Sequence, residues 1–219
     1  MTERRKFLKI SLGFLSLMGL RFNPFFSLIQ RAYAEAKRII LPKGTKAGSL
    51  ASKDPRDLDT RNLEITPINK FGTMGTTDYK VDLEKWRLLI TGSVKQPLEL
   101  THADIKALPP ISRKVLLICP GVFSQYGDWK GISMKPLLQK AGIEKGATHV
   151  TISGPEGPYE KVETFPIDEV LKDQVFLAYA VNGEILPRKH GFPLRVVAED
   201  HYGDDWVKYA YRVTVGGPE

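Results

Sequence analysis

His190-Gly191-Phe192-Pro193-Leu194-Arg195-Val196-Val197-Ala198, running on through His201-Tyr202-Gly203 to Trp206-Val207-Lys208, is the stretch on which the reading of this chain turns. Leu194 to Ala198 is a short apolar run and predicts a strand. From Trp206 to Val215 the pattern alternates. Val207, Tyr209, Tyr211, Val213 and Val215 share one face, and Lys208, Arg212 and Thr214 share the other, which predicts a closing strand. On residue type alone, Arg195 and Lys208 read as charges on a solvated strand face, and Trp206 as a rim or core aromatic.

Working outward, the rest of the chain alternates strands and short helices. Trp86 to Val94 predicts a strand. Thr101 to Leu108 predicts a short helix, with Thr101 as cap and Asp104 three residues on. Lys114 to Cys119 is an apolar strand. Ser133 to Ala141 predicts a helix capped by Ser133, with Pro136 in its first turn and Gly142 as its stop. Thr148 to Ser153 predicts a strand, and Ile167 to Leu171 a short helix after Pro166. Val175 to Val181 and Glu184 to Leu186 flank Asn182-Gly183, a hairpin signal. The result is a strand-rich α+β fold with short inserted helices. Residues 66–217 form the expected domain. Residues 35–65, rich in turn formers such as Lys43-Gly44-Thr45-Lys46 and Asp54-Pro55-Arg56-Asp57, read as an extended, surface-lying lead-in.

Cys119 is the only cysteine, and it ends the run Val115-Leu116-Leu117-Ile118-Cys119-Pro120-Gly121. Pro120 lacks the N–H a ladder needs and Gly121 permits unusual backbone angles, so the strand should stop there. A lone cysteine makes no internal disulfide. The thiol is therefore a small buried hydrophobe, an intermolecular link, or a ligand or nucleophile.

The N-terminus reads as an export signal. Arg4-Arg5-Lys6-Phe7-Leu8-Lys9 is a twin-arginine pattern, followed by apolar Ile10 to Leu20 and by Ala32-Tyr33-Ala34 as a cleavage site. The alternative is an uncleaved membrane anchor, but Arg21 interrupts the run well short of the roughly 20 residues that span a bilayer. The segment also carries most of the charge. The whole chain has 32 Lys+Arg and 25 Asp+Glu, net +7; with the six bases and one acid of 1–34 removed, 26 bases face 24 acids, net +2. Nucleic-acid binding has no support from such a balance. The twin-arginine route exports folded proteins, many of which acquire a cofactor before export.

No Gly-x-Ser-x-Gly elbow, Walker loop or Gly-x-Gly-x-x-Gly occurs. His102, His149, His190 and His201 lie far apart without zinc-type spacing.

Taken together, the stretch from His190 to Lys208, Thr66-Pro67, Trp86 to Pro97, Leu100-Thr101, Cys119, Asp128-Trp129-Lys130-Gly131, Leu177-Ala178-Tyr179 and Asn182 to Pro187 resemble the oxidoreductase molybdopterin-binding domain family, the sulfite-oxidase-like fold. The resemblance covers roughly residues 60–217. It implies a molybdenum–molybdopterin cofactor, with Cys119 as metal ligand and catalytic residue, a role suited to a soft thiolate. It further implies that His190, Arg195, Trp206, Val207 and Lys208 bind the cofactor: the fork of Arg195 and the point charge of Lys208 suit its phosphate. Tyr126, Trp129, His201 and Tyr202 are candidate pocket residues.

Two departures shape the expected function. After Cys119 the run Pro120 to Gly127 contains no arginine, where sulfite oxidases place anion-binding arginines. Phe71 to Thr77 also has little of the aromatic, arginine and asparagine content common in relatives. The chain is accordingly more similar to bacterial periplasmic reductases of the family, such as the methionine-sulfoxide-reducing catalytic subunit, and no haem or immunoglobulin-like domain is expected. The resemblance implies an exported oxidoreductase that transfers an oxygen atom in a two-electron step to or from a small-molecule substrate, of the S-oxide or N-oxide reductase type. Its expected partners are the twin-arginine translocase and a membrane haem-containing electron donor. The alternatives are sulfite-type oxidation, a binding module without metal, and a cysteine-nucleophile enzyme.

Overall fold

The structure is a computed structural model that describes residues 38–217; the expected signal segment, 1–34, lies outside them. The longer strands sort into two five-stranded sheets. In the first, β3 (Pro110–Cys119) and β4 (Phe123–Ile132) form a ten-residue antiparallel hairpin, and β4 pairs with β7 (Val175–Val181). The far edge of β7 is shared between β8 (Glu184–Ile185) and β9 (Arg195–Ala198). In the second sheet the order is β2 (Leu98–Thr101), β1 (Arg87–Gly92), β10 (Arg212–Gly216), β5 (His149–Ser153), β6 (Val162–Pro166). There β10 runs parallel to β1 and antiparallel to β5. The strand-rich α+β architecture expected from the sequence is thus observed.

Apolar burial explains the layering. Every residue of β7 is buried, as befits a strand covered on both faces. In the second sheet, Leu88, Ile90, Val150, Ile152, Val213 and Val215 alternate inward with no more than 1% exposure. Each such side chain contributes about 1.5–3 kcal/mol by leaving water. The helices behave as their caps predict. In α1 (His102–Ala107), Thr101 and Asp104 form a reciprocal capping box. Then α2 (Lys135–Ala141) stops at left-handed Gly142, and α3 (Ile167–Leu171) follows Pro166. Ser133 is not the N-cap of α2; Met134 is. The Ser133 hydroxyl accepts from Lys135 N–H at 3.2 Å and donates to Asp173 at 2.6 Å, so it ties the helix entry to the turn after α3.

Three differences from the sequence reading bear on the site. The Phe123–Ile132 strand, with Gly127, Asp128 and Gly131 inside it, carries little strand signal, yet it pairs along its whole length with β3. The expected strand from Trp206 is a strand only over Arg212–Gly216. Its first half crosses between sheets: Val207 O accepts from Val196 N–H and Ala210 N–H donates to Leu194 O, after which Tyr211 bonds to Ser153 O and Leu89 N–H. Lastly, the stretch before residue 65 is not merely surface-lying. Leu41, Ala47, Leu50, Leu58 and Leu63 bury themselves against Leu116, Ile118 and Tyr126, forming a second small core behind β3 and β4. Ser124 Oγ donates to Ala47 O, and Gly121 N–H to Ala51 O at 2.9 Å, so this stretch braces the turn that follows Cys119.

Candidate active site

The β3–β4 hairpin turns one face toward a cleft of about 330 Å³. Because Cys119 pairs with Phe123 and Leu117 with Gln125, all four side chains fall on that face, and all four line the cleft. His190, Arg195, Trp206 and Lys208 form a second wall of the cleft, and Gly72 to Thr76 add to its lining. Five of the six residues that the resemblance implies as cofactor or metal contacts therefore meet in one place. The sixth, Val207, is fully buried and absent from the lining; its contribution is the carbonyl that holds β9. None of the candidate pocket residues Tyr126, Trp129, His201 and Tyr202 lines the cleft. Tyr126 and Tyr202 pack in or against the second core. Trp129 lies behind the wall, its ring 5.5 Å from Trp206 and 5.9 Å from Phe71. His201 is engaged by Glu169 at 2.8 Å and packs edge-on to Phe165.

The wall is a buried cationic layer. Arg195 is 5% exposed; its Nη1 donates to His190 O at 2.9 Å and its Nε to Val196 O at 3.3 Å. The guanidinium sits between Trp129 and Trp206, 5.1 and 5.4 Å from the ring centres. Burial pulls its pKa down to about 10, so it stays charged at neutral pH. Lys208 is drawn down to about 8, first by burial and then by Arg195. Its ammonium donates to Thr73 Oγ1 at 3.1 Å, to Thr76 O at 3.0 Å and to Met74 O. Among the described residues neither cation has a carboxylate partner. Burial, followed by Arg195, Lys189 and Lys208, holds His190 down to about 4, so the ring is neutral.

Gly191 lets these groups converge. It sits at φ +110°, and a Cβ there would lie 2.2 Å from Lys208 O and 2.8 Å from Arg195 Cβ.

The cleft contains polar atoms with nothing to bond. Gln125 Oε1, His190 Nε2 and Trp206 Nε1 are buried and without hydrogen-bond partners, although all three residues line it. Orphaned groups of this kind carry a desolvation cost that a bound ligand removes. Cys119 is half-buried, and its thiol is pushed up by burial and, secondarily, by the charge of Asp204. On its own it is a poor nucleophile. No group of three or more His, Cys, Asp or Glu that could hold a metal ion exists among the described residues. A metal at Cys119 must therefore bring its other ligands with it. Carboxylate-free buried cations, orphaned donors and acceptors, and one thiol fit a phosphate-bearing, sulfur-chelating cofactor.

The sequence reading missed Gln125, Tyr159, Tyr209, Asp204 and the role of Thr73 to Thr76. Tyr79 stacks 4.8 Å from both Tyr159 and Tyr209, the latter two lining the cleft, and Tyr159 is tied to Asp78 at 2.8 Å. None of these belongs to a motif.

Comparison with known proteins shows the family of the chain. The family model for the oxidoreductase molybdopterin binding domain matches residues 74–218, and the chain belongs to that family. It is 31% identical to the protein-methionine-sulfoxide reductase catalytic subunit MsrP of Gluconobacter oxydans (strain 621H), over 83% of this chain and 63% of that protein. It is 36% identical to the uncharacterized oxidoreductase YuiH of Bacillus subtilis (strain 168), over 56% of this chain and 61% of that protein. The chain thus spans about three fifths of the length of these relatives. The crystal structure of the sulfane dehydrogenase SoxCD from Paracoccus pantotrophus shares the fold, with a TM-score of 0.59 and 24% identity over 69% of this chain and 46% of that one. The cofactor of this family is molybdenum–molybdopterin.

Proposed function

We propose that this chain is the cofactor-binding, catalytic part of an exported molybdenum–molybdopterin oxidoreductase that reduces an S-oxide or N-oxide. The observation that carries this is the meeting of Cys119 with Arg195, Lys208 and His190 around one cleft with no carboxylate opposing the buried cations. When bound, the cofactor supplies the two-electron redox centre. The chain's residues do the rest. Cys119 Sγ is the protein's ligand to the metal. Arg195 and Lys208 offset the phosphate charge. Neutral His190 and the Trp206 indole N–H, both without partners in the cleft, would hydrogen-bond the cofactor, and the Leu117 and Phe123 side chains would keep water from the thiolate. In the overall reaction the S–O or N–O bond breaks, two electrons and two protons are taken up, and water leaves.

The reductase direction is supported by the likeness to MsrP, named a protein-methionine-sulfoxide reductase, and by the run Pro120 to Gly127 without arginine. Export rests on Arg4-Arg5 and the apolar run after it. Among the described residues no helix is long and apolar enough to cross a membrane. We assign the protein to the periplasm, sent there folded by the twin-arginine translocase and fed electrons by a membrane haem protein.

The test is molybdenum per chain on protein matured in its own host, beside Cys119→Ser, with S-oxide reduction driven by reduced viologen. Near one metal per chain, turnover in the wild type and loss of turnover in the variant are expected. A folded wild type without molybdenum would return the chain to a binding module. A fully active, loaded Cys119→Ser would remove the ligand role.

A further inference from the structure

Arg195 and Lys208, the buried cations, are set against the cofactor's phosphate, so the substrate meets the charges that remain. Lys208 has its three donors engaged by the Thr73–Thr76 loop, and Arg195 is walled in by two indoles. The other charged residues lining the cleft are Asp204, Glu160 and Lys161. Lys161 is paired with Glu163, whereas the Asp204 side chain has no ion pair or hydrogen bond among the described residues. With the cofactor in place, the outer cleft therefore presents net negative charge.

Asp204 is also held in position. It sits in the Gly203–Asp205 turn, which is locked against the Cys119 strand. At Gly203 a Cβ would lie 2.8 Å from Leu117 Cδ2 and 3.2 Å from Ile118 O, so the backbone of the turn is pressed onto the two residues before Cys119. The next residue but one, Trp206, has its N–H bonded to Gly203 O and its indole in the cationic wall. A carboxylate on this turn is fixed on the cysteine side of the cleft instead of swinging free on a long loop.

We propose that Asp204 is a specificity-determining residue that admits neutral and cationic oxides to the Cys119 centre and turns away anions such as sulfite and nitrate. This rests on the oxide-reductase reading and names the charge class of its substrate. An exposed carboxylate beside a confined path shifts selectivity between oppositely charged molecules by roughly fivefold to thirtyfold.

Two measurements test it. On the loaded enzyme, kcat/KM is compared for one S-oxide in three charge states: methionine amide sulfoxide (cation), its N-acetyl derivative (neutral) and N-acetylmethionine sulfoxide (anion). The expected order is cation, neutral, anion, flattened in Asp204→Asn and reversed in Asp204→Lys. On cofactor-free protein, the single thiol is titrated with cationic, neutral and anionic methanethiosulfonates. Ratios between reagents cancel any change in thiol reactivity, and Asp204→Asn should raise the anion-to-neutral ratio several-fold at low salt. Ratios unchanged within twofold would overturn the proposal, even if the enzyme reduces every oxide. If the loaded enzyme reduces none of them, the oxide-reductase reading falls, and the thiol ratios alone decide what Asp204 does.

Discussion

Arg195 Nη1 donates to the main-chain oxygen of His190 at 2.9 Å, so the cation of the wall also holds the turn that presents the histidine. One side chain supplies charge and geometry together. Arg195→Lys keeps the charge but loses the fork, and an ammonium cannot hold the His190 carbonyl while facing a phosphate. Loss of one charge-assisted hydrogen bond costs about 1.5–3 kcal/mol, or roughly tenfold to a hundredfold in cofactor retention. The check is pterin released on desalting; retention equal to wild type would show that the fork is dispensable.

His190 gives a pH signature in the cofactor-free protein. Its folded pKa, about 4, lies below the 6.5 of the unfolded chain, so protonation opposes folding. The protein should be unaffected by this group above pH 6.5 and lose stability as pH falls toward 4. A shift of that size corresponds to at most roughly 3 kcal/mol. His190→Asn should flatten this part of the urea-unfolding profile; an unaltered slope between pH 6.5 and 4 would contradict the assignment.

Gln125 is 2% exposed with an orphaned Oε1. Gln125→Leu removes the unpaired acceptor, so cofactor-free protein should be as stable as wild type or slightly more so. The loaded protein should hold its cofactor less well. Molybdenum occupancy under limiting molybdate reads the effect, and equal occupancy would leave Gln125 as packing.

Gly191→Ala forces a side chain into a left-handed backbone against the Lys208 carbonyl. A strained position of this kind costs about 1–3 kcal/mol, before the overlap is relieved. A thermal midpoint several degrees lower is expected, with cofactor loss, because Lys208 moves; a normal midpoint would mean that the turn yields freely.

Much of this was legible in the residues. Thr101 with Asp104, Asn182-Gly183 and Gly142 each dictate local geometry through their own side chains or lack of one, and the structure places cap, hairpin and helix stop where those residues stand. What stayed hidden depends on long-range partners. Gly127, Asp128 and Gly131 weaken local strand preference, and only the ladder to β3 makes the segment a strand and turns Gln125 into the cleft. Thr76 and Met74 reach Lys208 through main-chain oxygens, which every residue type possesses. The alternation from Val207 to Val215 holds in the structure only over Arg212–Gly216; before it Val207 and Ala210 are both fully buried and Lys208 and Tyr209 both line the cleft, because the bonding partner changes at Tyr211 and periodicity is blind to partners.

That change of partner makes residues 207–211 a stitch between two sheets. Lys208 lies on the stitch and Arg195 on the sheet edge it grips, so a molecule held by both fastens a seam. Stripping the cofactor should therefore first quicken amide exchange at Val196 and Ala210, whose N–H groups close that seam. One short crossing segment would then report mechanically on whether the cofactor has been fitted.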